Sequence, residues 1–138
     1  MSLEPELPFE FVVPGTAVSM QGSTGSLTAW REKVSAAARA ALPEGSWLLT
    51  EPLAVTIYIF PRAVMRGDID NRVKPILDAM VRCVYSDDDI IERLVVQKFE
   101  PGGIFAFQSP TTILLGALEA DEPVVYVRLT DELHEELV

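Results

Sequence analysis

Apolar and polar positions alternate at the start of the chain. In PFEFVVPG, Phe9, Phe11 and Val13 fall on one face, which predicts a first strand. TAVSMQGSTGS follows, a loop rich in glycine and serine. The period then changes to that of a helix. LTAWREKVSAAARAAL places Leu27, Trp30, Val34, Ala38 and Ala41 on one face, with Ser26 as the expected cap and Pro43 as the stop. LAVTIYIF returns to alternation, Leu53, Val55, Ile57 and Ile59 against Ala54, Thr56, Tyr58 and Phe60, and predicts a second strand. The clearest period follows: Val73, Ile76, Leu77, Met80, Val81 and Val84 fit a helical template. Pro75 is comfortable only in a first turn, so regular helix is expected from about Arg72, leaving Asp68 and Asp70 on the strand-to-helix turn.

RLVVQKFE predicts a third strand and PVVYVRLT a fourth. Between them an apolar insertion at about 101–122, broken by Gly and Pro, reads equally as a flap, an extra hairpin or a partner surface. The order β-α-β-α-β-β implies one α+β domain over residues 1–138, a mixed sheet with helices packed on it, ending in an acidic tail at about 130–138.

Composition narrows the chemistry. The 138 residues are 49% hydrophobic and 23% charged, enough for one core. No apolar run is long enough to span a membrane, and MSLEPELPFEF lacks the basic start and apolar middle of a signal peptide. The expectation is a soluble cytoplasmic protein without membrane partners. The single cysteine, Cys83, excludes an intrachain disulfide and a cysteine-based zinc site. The single histidine, His134, sits in the tail LTDELHEELV and reads as a solvated residue, so histidine-rich zinc sites and serine triads are disfavoured. Chemistry therefore falls to carboxylates, lysine and arginine. The formal charge of −10 argues against a general nucleic-acid coat, but it is uneven. Residues 119–138 hold seven acids and one base; residues 1–118 hold fourteen acids and ten bases. If three or four of those fourteen bind metal, that part is close to neutral, so a DNA partner is not excluded.

The chemistry concentrates in RGDIDNRVKPILDAMVRCVYSDDD, which carries six aspartates among Arg66, Arg72, Lys74 and Arg82. Asp68, Asp70 and Asn71 at a helix start have an ordinary reading as caps. Lys74 and Asp78 follow Asp70 at four and eight residues, along one edge of the apolar stripe, where an ion-pair ladder is the ordinary reading. Asp87, Asp88 and Asp89 repel one another beside the negative end of the helix. Both acidic clusters work against local stability, and a divalent cation would relieve both. They cannot meet across the helix, since residues 72–84 span about 18 Å. They meet only if the chain after Tyr85 folds back and the next strand lies beside the preceding one. Aspartate oxygens are hard ligands suited to Mg2+ or Mn2+. Such ions activate water, and a nearby Lys or Arg stabilises charge on phosphorus oxygens. The composition is that of metal-dependent phosphodiester hydrolysis. Arg62, Arg66, Arg72, Arg82 and Lys98 are the candidate phosphate contacts.

DIDNRVKPILDAM, then VYSDDDII, then VVQK, resembles the signature of the RusA family of Holliday-junction resolvases. That signature is D-x-D-N-x-x-K-x-x-x-D-x-[LM], about ten residues, aromatic-x-D-D, and a strand ending in Lys. FVVPGTAVSMQ with Trp30 on a later helix is similar to the family's first strand and loop, and the resemblance covers roughly residues 8–100. It implies a homodimeric, Mg2+-dependent endonuclease, with Mn2+ as a substitute and no nucleotide cofactor, that cuts branched four-way DNA symmetrically in recombination and repair. Carried over, Asp68, Asp70, Lys74 and Asp88 would be catalytic. Asp68, Asp70 and Asp88, with Asp87 less critical, would hold metal; Asn71 and Asp78 would support them. Aligning Tyr85 with the aromatic makes Asp87-Asp88 the D-D pair; a slide to Asp88-Asp89 remains open. The chain departs from the family in lacking a proline after Gly15, in having no Lys or Arg from Pro101 to Val127, and in its acidic tail. The apolar IFAFQSPTTILL offers part of a dimer interface or a cover for the domain's own core.

Three other readings compete. Tyr85-Ser86-Asp87-Asp88 spells the Y-x-D-D of palm-domain polymerases, which need another metal aspartate on an earlier strand and far more chain. A non-catalytic DNA-binding or interaction module would keep the fold without cutting, against which stand the full aspartate set and Lys74. An acidic domain whose aspartates only cap and turn would bind no metal.

Overall fold

The computed structural model describes residues 4–134. Residues 1–3 of the acidic start and 135–138 of the acidic tail lie outside the described residues. The strands are β1 (Phe9–Pro14), β2 (Leu53–Phe60), β3 (Ile91–Lys98) and β4 (Val124–Thr130); the helices are α1 (Thr24–Ala41), α2 (Asp70–Met80) and α3 (Thr112–Glu119). The strands form one mixed sheet in the order β1-β4-β2-β3, antiparallel except for the parallel pair β2 and β3. The expected α+β order is present, with α3 added between β3 and β4. No helix among the described residues is long and apolar enough to cross a membrane.

Strand alternation divides the core in two. Phe9, Phe11, Val13, Leu53, Val55, Ile57, Ile59, Val125, Val127 and Leu129 join Trp30, Val34 and Ala38 of α1 and Val73, Ile76, Leu77 and Met80 of α2 in one cluster. The opposite residues, Phe60, Val124 and Tyr126, pack with Leu114 and Ala117 of α3. Around them Tyr58, Phe99, Phe105 and Phe107 form a network of ring contacts. The segment at 101–122 thus covers the domain's own second sheet face, while leaving Ile104, Phe105, Ile113 and Leu115 exposed.

Several boundaries differ from expectation. Helix α1 starts at Thr24, because the Ser23 side chain accepts the Ser26 N–H at 3.1 Å; Ser26 is capped by Ser23 and is not itself the cap. Ala41, the last residue of α1, is exposed. Helix α2 starts at Asp70 and so takes Pro75 into its interior. Proline cannot donate to the carbonyl four residues back, which is that of Asn71. The Met20 N–H takes that carbonyl instead, at 2.8 Å, and docks the loop before α1 onto α2. Helix α2 stops at Met80, short of the periodic Val81 and Val84. Val84 is still fully buried, because a tight turn at 81–85 returns it to the core. Arg82 adopts φ 65° in this turn, and its N–H bonds the Tyr85 carbonyl at 2.7 Å.

Candidate active site

Two connections deliver the acidic residues to α2. The first leaves β2. Gly67 turns the chain with φ 88°, a conformation that costs a residue without Cβ little. The Arg72 guanidinium donates to the Arg66 carbonyl at 2.8 Å and to the Ala17 carbonyl, clamping two loops to the start of α2. Buried Met65 donates its N–H to Glu100 at 2.8 Å, which ties this loop to the end of β3. Asp68 and Asp70 emerge exposed. No side chain caps α2, so the capping reading of these acids does not hold. Among the described residues their carboxylates have neither a hydrogen bond nor an ion pair.

The second connection follows α2. Tyr85 is fully buried, its hydroxyl donating to the Leu77 carbonyl at 2.6 Å. Leu49 and Ser86 add backbone bonds on either side, and the chain reverses. The Asp87 carboxylate accepts the Asp88 N–H at 2.7 Å and caps a short 3-10 turn, Asp88–Ile90, from which β3 starts beside β2. The fold-back on which a joint site depended is therefore present.

It brings Asp88 against α2. The Lys74 ammonium lies 2.6 Å from Asp88 Oδ2 and 2.9 Å from Asp78 Oδ1. Arg31 of α1 stands 4.0 Å from Asp78, so charges alternate as Arg31, Asp78, Lys74, Asp88 across three segments. Asp70 is one turn along α2 from Lys74, about 6 Å in rise. Of the aspartate run, Asp88 alone meets Lys74; Asp87 is spent on the cap and Asp89 is exposed. The carboxylate contacts, Asp88 first and then Asp78, raise the lysine pKa above its ordinary range. Lys74 in turn holds the Asp88 carboxyl below its usual value, against the opposing effect of burial. Both groups are charged across the neutral range.

Among the described residues no three His, Cys, Asp or Glu side chains converge as a ready-made metal cage. The donor set still fits magnesium, which keeps several waters and takes only one or two protein carboxylates together with substrate phosphate. Exposed, unpartnered Asp68 and Asp70 are hard donors of that kind.

Beside the charges runs a mainly apolar groove of about 390 Å3 lined by Ile69, Asp70, Val73, Lys74, Leu77, Leu94 and Val96. Arg62, Arg66 and Arg72 line a second cavity of about 340 Å3 beside Met65 and Pro123. Within it the Arg62 Nε donates to the Glu122 carbonyl at 3.3 Å, and Arg72 is committed to its two carbonyls. Arg82 lies past the opposite end of α2, about 16 Å away by helical rise, and does not join them. Lys98 pairs with Glu100 at 3.3 Å. Sequence reasoning missed Arg31, whose only signal was its position on the flank of the α1 stripe. It also missed the clamping role of Arg72, which has no spacing signature.

A family model described as Endodeoxyribonuclease RusA matches residues 18–105, more than half of the chain. The match runs from the loop before α1 to the loop after β3 and includes every charged group of the site. No curated protein matches the chain.

Proposed function

Since this chain belongs to the RusA endodeoxyribonuclease family, we propose that it hydrolyses phosphodiester bonds at four-way DNA junctions, in recombination and repair, with Mg2+ or Mn2+ held at α2. The observation that carries this reading is the Lys74–Asp88 contact, which joins the two acidic segments beside unpartnered Asp70. Asp68 and Asp70 would hold the ion, with Asp88, which pairs with Lys74, as the further carboxylate at the site. When bound, the ion supplies an activated water and neutralises phosphodiester charge. Lys74 keeps a positive charge where the phosphorus oxygens become more negative. Asp78 keeps that ammonium aimed at the site, and Arg31 steadies Asp78. Asp87 holds the turn that presents Asp88. Asn71 supports from the first turn of α2, its carbonyl anchoring the Met20 loop. Arg62 and Arg66 are the cations best placed to meet a strand entering at the start of α2. Symmetric cutting needs two sites related by a two-fold axis, hence a homodimer.

The test is cleavage of a labelled synthetic four-way junction with Mg2+, beside a linear duplex and an EDTA control. Paired symmetric nicks in the junction alone are expected. Junction binding without cleavage in either Mg2+ or Mn2+ would establish instead a non-catalytic module on the same fold.

A further inference from the structure

The second sheet face, opposite α1 and α2, carries a charge that the fold does not answer. Strand pairing sets Arg128 of β4 between Glu10 of β1 and Thr56 of β2. The residue is half-buried and its Nε wholly so, while its terminal nitrogens remain accessible. Among the described residues its guanidinium has neither a hydrogen bond nor an ion pair. Arg72 also buries its Nε, but both of its terminal nitrogens donate to carbonyls. Glu10 is directly opposite Arg128 in register, yet its carboxylate is taken by the hydroxyls of Thr111, at 2.6 Å, and Tyr126. A cation drawn out of water without a counter-group is costly, so such groups are rare in native folds.

Arg128 lines a cavity of about 230 Å3 between this face and the segment that covers it. Tyr58, Tyr126 and Phe107 form an aromatic side, the Tyr58 ring standing 5.6 Å from each of the other two. Thr56 and Gln108 add a hydroxyl and an amide. One cation beside aromatic rings and a few neutral polar groups is the make-up of a small-molecule site. Most of the lining lies after residue 105, beyond the stretch that the family model matches.

We propose that this cavity binds a small aromatic carboxylate, with the carboxylate on the terminal nitrogens of Arg128 and the ring among Tyr58, Phe107 and Tyr126. The planar guanidinium fork matches a carboxylate through two parallel hydrogen bonds. Its charge is delocalised, so an anion on the terminal nitrogens also relieves the buried Nε. Volume limits the occupant to one ring, since sites for drug-sized ligands start at about 300 Å3. Glu10, one strand away, disfavours a second negative charge, which selects a carboxylate over a phosphate monoester. The site lies on the face opposite α2 and stands or falls independently of the nuclease reading.

The experiment is proton–nitrogen correlation NMR on the whole chain, titrated with benzoate, benzamide and phenyl phosphate. Benzoate is expected to give saturable shifts at the Arg128 Nε–H and at the Thr56 and Gln108 amides. Benzamide has the same shape without the charge, and is expected to bind at least about tenfold more weakly for want of a charge-assisted bond. Phenyl phosphate is also expected to bind more weakly than benzoate. Arg128→Gln is expected to abolish the benzoate shifts with circular dichroism unchanged. Should that variant not fold, the benzamide comparison on the wild-type chain decides alone. No saturable shift in the cavity, equal affinity for benzamide, or benzoate binding kept by folded Arg128→Gln would each overturn the proposal. Tighter binding of phenyl phosphate would overturn the assignment of a carboxylate.

Discussion

Lys74 and Asp88 are separated by fourteen residues and stand 2.6 Å apart. Each shifts the other toward its charged form, and this has a direct consequence in solution. The Asp88 carboxyl is depressed below the ordinary aspartate value of about 3.9. The contribution of the pair is therefore fully present above that value and is lost as pH falls through the folded-state pKa. Carboxyl NMR titration should find Asp88 ionised at pH values where ordinary aspartates are protonating, and Lys74→Met should move it back toward them. An unchanged Asp88 curve in Lys74→Met would remove Lys74 as the cause. In catalysis, Lys74→Ala should lower turnover more than metal affinity; a pure binding defect would contradict its place at the transition state. Tyr85 gives a third test. Tyr85→Phe deletes the buried hydroxyl bond to Leu77 and should cost about 1 kcal/mol in denaturant unfolding, with an unchanged m-value. The aspartates and Lys74 could be singled out in the chain because their types and spacing form a pattern along it. The roles of Arg72 and Arg31 could not, because bonds to backbone carbonyls and contacts between helices leave no local pattern.

Helix α2 shows where element-level reading reaches its limit. Its apolar stripe predicted the buried face through Met80, but Val81 and Val84 fit the same template without being helical. They satisfy the period because both a helix and a turn folding onto the same core require apolar residues there. Pro75 bounds the helix start only by a rule for a helix taken alone. Here the carbonyl that proline leaves unpaired is taken by Met20, a partner fifty-one positions from Asn71 that no local rule reveals. Pro75→Ala would restore an N–H able to compete for that carbonyl. Hydrogen exchange at the Met20 amide should then accelerate, while Ile76 and Leu77 stay protected; unchanged exchange at Met20 would mean the proline does not anchor the loop. Helix α3 escaped detection for another reason. ILLGALE is apolar almost all round and carries Gly116, so no periodic face stands out.

At the scale of the molecule, a chain of net charge −10 has few cations to offer DNA. Arg72 gives its guanidinium to two backbone carbonyls, Lys98 pairs with Glu100 and Arg82 lies at the far end of α2; of the candidate phosphate contacts, Arg66 and Arg62, the latter bonded only through its Nε, stand nearest the start of α2, beside the paired cations Lys74 and Arg31. Junction binding should consequently show a shallow salt dependence, and Arg62→Ala or Arg66→Ala should each reduce its log–log slope by about 1. Slopes unchanged in both variants would place the DNA elsewhere. The α+β architecture was readable because strand alternation and helical period agree with the sheet that forms. The meeting of Asp88 with α2 was readable only as a condition, since it depends on β3 pairing parallel to β2, a long-range choice.

The most direct measurement compares Asp70→Asn and Asp88→Asn with wild type, scoring junction cleavage in Mg2+ and junction binding on the same folded samples. Each substitution removes a carboxylate charge and no core contact. The expected result is loss of cleavage in both variants with binding to the junction largely kept. Full cleavage by either variant would contradict the assignment of the site on α2.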